Sequence, residues 1–168
     1  MIKNQHPFHM ILQTVCNYAL VRFVPYPESE EFVNVGFVLL DGLNRRLMFR
    51  LETERFERVH DFFPALDPKV YPGACELLSG ELQRLCNLVN GDPASGQPPL
   101  DRNEQGLKTL FQDIVRPREG LIDFSGIRTL LTDDVEAELD KLFAHYVVRH
   151  QVHRVEQSLG DLSQTKTA

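Results

Sequence analysis

The hydrophobic pattern near the start of the chain predicts two strands joined by a short bend. Residues 18–26 and 32–40 are rich in Val, Phe, Leu and Tyr, which favour strands. Pro25, Pro27 and Ser29 supply turn formers at the bend. Because both runs are apolar on both of their faces, we expect this hairpin to form the centre of a sheet.

Two later segments extend the predicted sheet. After the turn sequence DGLN, residues 45–51 alternate apolar side chains with Arg and Met, which predicts a third strand with one exposed face. Residues 121–131 read LIDFSGIRTLL and are interrupted at Ser125 and Gly126. This segment is therefore either one interrupted strand or two short strands around a turn.

Helical periodicity predicts three helices between the third predicted strand and residue 121. Thr53 precedes a short predicted helix, Asp67 and Pro68 precede a longer one, and a third follows Asp101. Gly and Pro interrupt residues 90–99, which predicts a loop within the domain.

The last predicted helix opens at Asp133 and Asp134, whose carboxylates suit the positive end of a helix dipole. Its first apolar stripe ends at Val147, and beyond that residue the apolar positions are rotated around the helix. The second stripe either docks a partner or a second copy of the chain, or covers the core of its own domain. Its members are Val148, Val152, Val155 and Leu159.

Together these elements predict one α+β domain. We expect an antiparallel sheet of four or five strands, with three to five helices packed mainly on one face. The domain should span residues 1–160, with a C-terminal helix that extends past 147, and residues 161–168 should form a flexible tail. A length of 168 residues with 42% hydrophobic content is ordinary for one globular domain.

The composition of the chain indicates which partners we do not expect it to bind and in which cellular compartment we expect it. The net charge of −6 argues against nucleic-acid and membrane-surface binding, which need clustered Lys and Arg. The chain has no apolar segment long enough for a membrane span, and we expect it to be cytoplasmic. The odd, scattered set Cys16, Cys75 and Cys86 indicates buried thiols rather than a disulfide framework. No metal site and no cofactor are expected, because no metal-binding or phosphate-loop motif occurs.

Two polar residues interrupt the predicted central hairpin. Alternation places Arg22 opposite Asn34 or Gly36, and Gly36 would leave room for the arginine side chain. Glu31 is the carboxylate nearest to the strand. One interpretation is a buried Arg–Glu–Asn network that holds the hairpin, and the other is a pocket for an anionic or carbonyl group.

A second candidate site lies in the sequence VRPREGLIDFSGIR. Arg116, Arg118 and Arg128 flank Ser125 in a segment that contains a glycine turn. Arginines that converge on such a turn can hold an anion such as phosphate. The alternative is a surface cluster of salt bridges with the neighbouring carboxylates.

Two stretches of the chain resemble the bacterial domain-of-unknown-function family 3037. The resemblance covers about residues 18–147, and it implies an uncharacterised activity and a protein partner, with a HipA-like kinase as the candidate. It is carried by an N-terminal motif, V-R-x-x-P followed by E-F-x-N-V-G, and by a C-terminal run, E-L-D-x-L-F. The matching positions are Val21, Arg22, Pro25, Glu31, Phe32, Asn34, Val35, Gly36, Glu138, Leu139, Asp140, Leu142 and Phe143.

Two functions from different classes follow. The first is a non-catalytic accessory or regulatory binding protein, partnering a HipA-like kinase in a toxin–antitoxin or phage-defence setting or self-associating through its C-terminal helix. The alternative is an enzyme or ligand-binding protein acting on a phosphorylated or nucleotide substrate, with Arg22, Asn34, Arg118 and Arg128 as anion ligands and Glu31 as general base. The alternative requires these side chains to converge on one concave surface.

Overall fold

A computed structural model describes residues 12–148 of the chain. This part folds as the predicted α+β domain, with a five-stranded antiparallel sheet and four α-helices. The strands are β1 (Thr14–Phe23), β2 (Val33–Asp41), β3 (Arg46–Leu51), β4 (Ile122–Phe124) and β5 (Arg128–Thr132). The helices are α1 (Glu57–Phe62), α2 (Val70–Asn90), α3 (Glu104–Ile114) and α4 (Val135–Phe143), and α4 continues into a π-helical segment, Ala144–Val148.

The sheet has the order β3-β2-β1-β4, and β5 pairs with β1 beside β4. The hairpin of β1 and β2 is therefore central, as its two apolar faces predicted. Residues 121–131 form two short strands around Ser125 and Gly126, which decides between the two alternatives left open by the sequence. Strand β1 starts at Thr14, earlier than predicted, and its first half pairs with β5.

Hydrophobic side chains pack against both faces of the sheet. On one face, which we call the α2 face, Ala19, Val21 and Phe23 pack against residues of α1, α2 and α3. On the other, the α4 face, Tyr18 and Leu20 pack against α4. Three of the four helices thus lie on one face, in line with the expected distribution.

Helix ends follow local capping chemistry. The side chain of Asn103 accepts a hydrogen bond from the Gly106 N–H at the start of α3, and Asp134 accepts one from the Ala137 N–H at the start of α4. The predicted opening of the last helix is confirmed. The predicted helical extension beyond residue 148 and the tail at residues 161–168 lie outside the described residues.

All three cysteines are free and buried, as the sequence indicated. Burial raises the pKa of the Cys86 thiol to about 11. Burial, together with the nearby Asp41 carboxylate, raises that of Cys16 to a similar value of about 11. Thiols with such pKa values are poor nucleophiles at neutral pH, so these side chains act as small core residues.

Candidate functional site

An irregularity in the central hairpin places two polar side chains beside each other. Val21 pairs with Gly36, but the next residue, Arg22, pairs with Asn34, so β2 carries one extra residue at Val35. Such a bulge redirects the strand locally. Of the two partners predicted for Arg22, Asn34 is the one that the structure shows, and Gly36 pairs with Val21.

A third polar residue adjoins the pair from the other side of β1. Strand β4 places Asp123 opposite Arg22. The three side chains form a line across three neighbouring strands, which we call the polar row: Asn34, Arg22 and Asp123. Their apolar sequence neighbours pack on the α2 face, so the polar row lies on the α4 face.

The side chains of the polar row do not bond to one another in the described part of the chain. Buried atoms of all three, Arg22 Nε, Asn34 Oδ1 and Asp123 Oδ1, lack a hydrogen-bond partner within residues 12–148. The Arg22 guanidinium instead stacks on the Phe32 ring, with its central carbon 4.2 Å from the ring centroid. Phe32 is itself 41% exposed, so the stacked pair reaches the surface.

The predicted buried Arg–Glu–Asn network is wrong, because neither Asn34 nor Glu31 bonds to the Arg22 side chain within residues 12–148. Glu31 precedes the first paired residue of β2, Val33, and is exposed. Its carboxylate accepts a hydrogen bond of 3.4 Å from Ser29 Oγ, and no ion pair with Arg22 forms in the described part of the chain. The carboxylate beside Arg22 across the sheet is that of Asp123.

Gly36 also has a different role from the one expected. A side chain at this position would collide with the Arg50 carbonyl oxygen and would come within 2.7 Å of Leu51 Cδ2. Both atoms belong to β3. Glycine is therefore required for the close approach of β3 to β2, and not to accommodate Arg22.

Arg58 of α1 is a buried cation that the sequence pattern did not reveal. Its Nη1 donates a hydrogen bond of 2.9 Å to the Asn34 carbonyl and another to the Val147 carbonyl. Because β3 ends at Leu51, the Asn34 carbonyl has no ladder partner on that side, and Arg58 takes its place. Burial lowers the pKa of the Arg58 guanidinium, and the Glu52 carboxylate opposes this effect.

Comparison with known families identifies the chain. The family model described as "Protein of unknown function (DUF3037)" matches residues 18–147. The chain belongs to the DUF3037 family. No curated protein and no solved structure matched it.

Ser125 of this DUF3037 chain holds strands together and is buried. Its Oγ accepts a hydrogen bond of 2.9 Å from the Leu20 N–H, and its own N–H donates one of 2.9 Å to the Leu20 carbonyl. The hydroxyl in turn donates to the Gly126 carbonyl. Ser125 therefore joins β1 to the corner between β4 and β5, and its polar atoms are occupied.

The arginines around Ser125 are not brought together. Arg116 is exposed and pairs with Asp113 on α3, at 2.5 Å. Arg118 lines a cavity of about 200 Å³ on the α2 face, next to Glu81 and Phe124. These positions correct the expectation that the arginines converge on the glycine turn, because α3 and its following loop direct Arg116 and Arg118 away from β5.

Arg128 lies on the α4 face and has aromatic partners. Its Nη1 donates a hydrogen bond of 2.9 Å to the Tyr146 hydroxyl, and Arg128 is paired across the strands with Tyr18. Burial and a hydrogen bond with Tyr146 raise the pKa of Tyr18, whereas Arg128 lowers it. Arg22 is four positions after Tyr18 on β1, so Arg22 and Arg128 are about 13 Å apart along the strand direction.

Of the proposed partner-docking stripe, one residue lies within the DUF3037 structure. Val148 is half-buried and lines an open groove of about 470 Å³ between the end of β3 and α4. Val152, Val155 and Leu159 lie outside the described residues, and their role stays a prediction.

Residues 12–148 contain neither a metal-binding cluster nor a membrane-spanning helix. This part of the chain contains no group of three or more His, Cys, Asp or Glu side chains that could hold a metal ion. None of its helices is both long and apolar enough to cross a membrane.

Proposed function

We propose that this DUF3037 chain is a non-catalytic accessory or regulatory binding protein of the bacterial cytoplasm, and that Arg22 contacts its partner. The observation that carries the proposal is a difference among the arginines on the described strands. Arg46 and Arg50 form ion pairs with Glu136 and Asp140 of α4, and Arg128 bonds to Tyr146. The Arg22 side chain, within residues 12–148, has only the Phe32 ring as a partner.

The chemistry of the polar row defines what a partner must present. A guanidinium held flat against an aromatic ring offers its remaining N–H groups as a fork that fits a carboxylate. The oxygens of Asn34 and Asp123 that lack a hydrogen-bond partner are buried, so a partner contacts the polar row through the Arg22 guanidinium. An acidic segment of a protein, with a carboxylate for Arg22, supplies the matching acceptor.

The alternative of an enzyme or ligand-binding protein for a phosphorylated or nucleotide substrate has less support. It requires Arg22, Arg118 and Arg128 to share one concave surface. Arg118 lies on the α2 face, whereas the other two lie on the α4 face, and Arg128 is already bonded to Tyr146. Glu31, the expected general base, is exposed in the loop before β2. A binding surface therefore fits the distribution of charges better than an anion pocket.

The partner that the family resemblance suggests is a HipA-like kinase, which would place the chain in a toxin–antitoxin or phage-defence setting. The proposal is tested by affinity purification of the tagged chain from its native host, followed by quantitative mass spectrometry. We expect wild type to retain a stoichiometric protein partner and Arg22→Met to lose it, because methionine keeps the apolar stem and removes the charge.

Arg116→Met is the matched control. It removes one guanidinium from an exposed ion pair on α3, far from the polar row, and should retain the partner at the wild-type level. Recovery of no stoichiometric partner by wild type contradicts the proposal, and so does equal recovery by wild type and Arg22→Met.

A further inference from the structure

The two edges of the sheet are protected differently. Along β3, the Asn90 side chain of α2 accepts a hydrogen bond of 2.7 Å from the Leu47 N–H and donates one of 2.8 Å to the Leu47 carbonyl. The amide thus occupies backbone groups that another strand would need. At the opposite edge, β5 pairs with β1 alone, and its outer side has no strand neighbour within residues 12–148.

The open edge is bordered by exposed apolar side chains. Leu131 of β5 is 62% exposed and is paired with Val15 of β1, which is 47% exposed. Ile127 is also exposed. Beside them, α3 and the two strands enclose a groove of about 270 Å³ whose lining includes Val15, Ile127 and Phe111. An unprotected strand edge next to apolar surface favours the addition of another strand.

We propose that the strand added here is β5 of a second copy, in an antiparallel pair centred on Leu130. The charges along this segment decide both the occupant and the direction. Arg128 begins the strand, and Asp133 and Asp134 directly follow its end. In an antiparallel pair each Arg128 lies beside the acidic end of the other copy, whereas a parallel pair would place Arg128 opposite Arg128.

The same register matches the apolar side chains. Leu130 lies opposite Leu130 of the second copy, and Leu131 lies opposite its Thr129, on the α2 face. A pair of five-residue strands with a small apolar border is a limited interface, so the dimer should be weak and dependent on concentration. The contact is isologous, with the same surface used by both copies.

Sedimentation velocity of the full chain over a concentration series tests the dimer. We expect wild type to shift from monomer to dimer, and Leu131→Lys to weaken the dimer at least tenfold, because two added ammonium groups would lie close together across the pair. Leu77→Lys is the matched control, since Leu77 is 79% exposed on α2, and it should dimerise like wild type. A wild type that stays monomeric throughout, or a dimer equally strong in Leu131→Lys, overturns the proposal.

Cysteine cross-linking tests the register. Facing residues of an antiparallel pair are close enough for a disulfide, so Thr129→Cys mixed with Leu131→Cys should form a cross-linked dimer under mild oxidation. Each variant alone should cross-link much less. The native cysteines are buried and should not contribute. Equal yields in the separate and mixed samples overturn this register.

Discussion

Arg22 and Arg58 approach the same residue, Asn34, and the fold treats them in opposite ways. Arg58 is buried, and its guanidinium binds the backbone carbonyls of Asn34 and Val147, so that it joins α1, β2 and the end of the π-helical segment. The Arg22 side chain lies beside Asn34, stacks on Phe32 and forms no hydrogen bond within the described residues. The Arg58 guanidinium supports the fold through two hydrogen bonds and the Arg22 guanidinium through none, although Nε is buried without a partner in both residues.

This difference distinguishes a structural cation from a candidate binding cation more clearly than burial alone. A guanidinium that makes no hydrogen bond adds little to the stability of its domain, so the fold alone does not account for the charge of Arg22. A role in recognition explains the arrangement, because a partner can supply what the domain does not.

The largest expected effect is that of Arg58→Met. This change leaves two buried carbonyls without their donor, and we expect the free energy of unfolding to fall by about 3 kcal/mol. Urea denaturation measures it. Arg84→Met removes an exposed pair with Glu81 and should leave stability close to that of wild type. Equal losses in the free energy of unfolding of the two variants would show that Arg58 does not have a special structural role.

Gly36→Ala tests the close packing that ends the ladder next to Asn34. The added methyl group meets the backbone of β3, and we expect a loss of about 2 kcal/mol in the same assay. Gly80→Ala, in the middle of α2 with open space around it, should instead stabilise the chain by about 1 kcal/mol. A neutral Gly36→Ala would show that β3 can move away from β2 without cost.

Arg22→Met should have a small effect on stability, within about 1 kcal/mol of wild type, because no hydrogen bond of the described fold is removed. Its effect should appear in partner capture instead. A loss of stability as large as that of Arg58→Met would show that Arg22 is a structural residue. It would favour the interpretation in which Arg22 stabilises the hairpin of β1 and β2.

The buried thiols of Cys16 and Cys86 should make the stability of the chain depend on pH, which sets the conditions for comparing the two arginine variants. The pKa values of Cys16 and Cys86 are raised to about 11 by burial, so the unfolded chain releases these protons at lower pH than the folded one. Stability should therefore be independent of these thiols at neutral pH and should fall as pH rises from 9 to 11. Denaturation curves at fixed pH values, repeated with Cys86→Ala, measure the contribution. An unchanged slope in that variant would show that Cys86 does not contribute.

The local part of this site was predictable from the sequence. Strand alternation and the position of the bend narrowed the partner of Arg22 to Asn34 or Gly36, and the bulge at Val35, which the pattern did not predict, selects Asn34. The central place of the hairpin followed from its apolar faces. These inferences need only the pattern of neighbouring residues.

The remaining features depend on contacts between distant parts of the chain. Asp123 joins the polar row because β4 lies on the far side of β1, which no local pattern specifies. Arg58 binds backbone carbonyls, which carry no side-chain signature. Arg118 and Arg128 are close in sequence, yet the loop and the short strand β4 between them direct them to opposite faces.

The Asn90 amide on β3 limits how far copies of this chain can assemble. A sheet with two open edges can grow from copy to copy into a fibre, since every added unit exposes a new edge. Here one edge is already occupied by a side chain of the same molecule. Association through β5 therefore uses up the open edge of both copies, and the assembly stops at two.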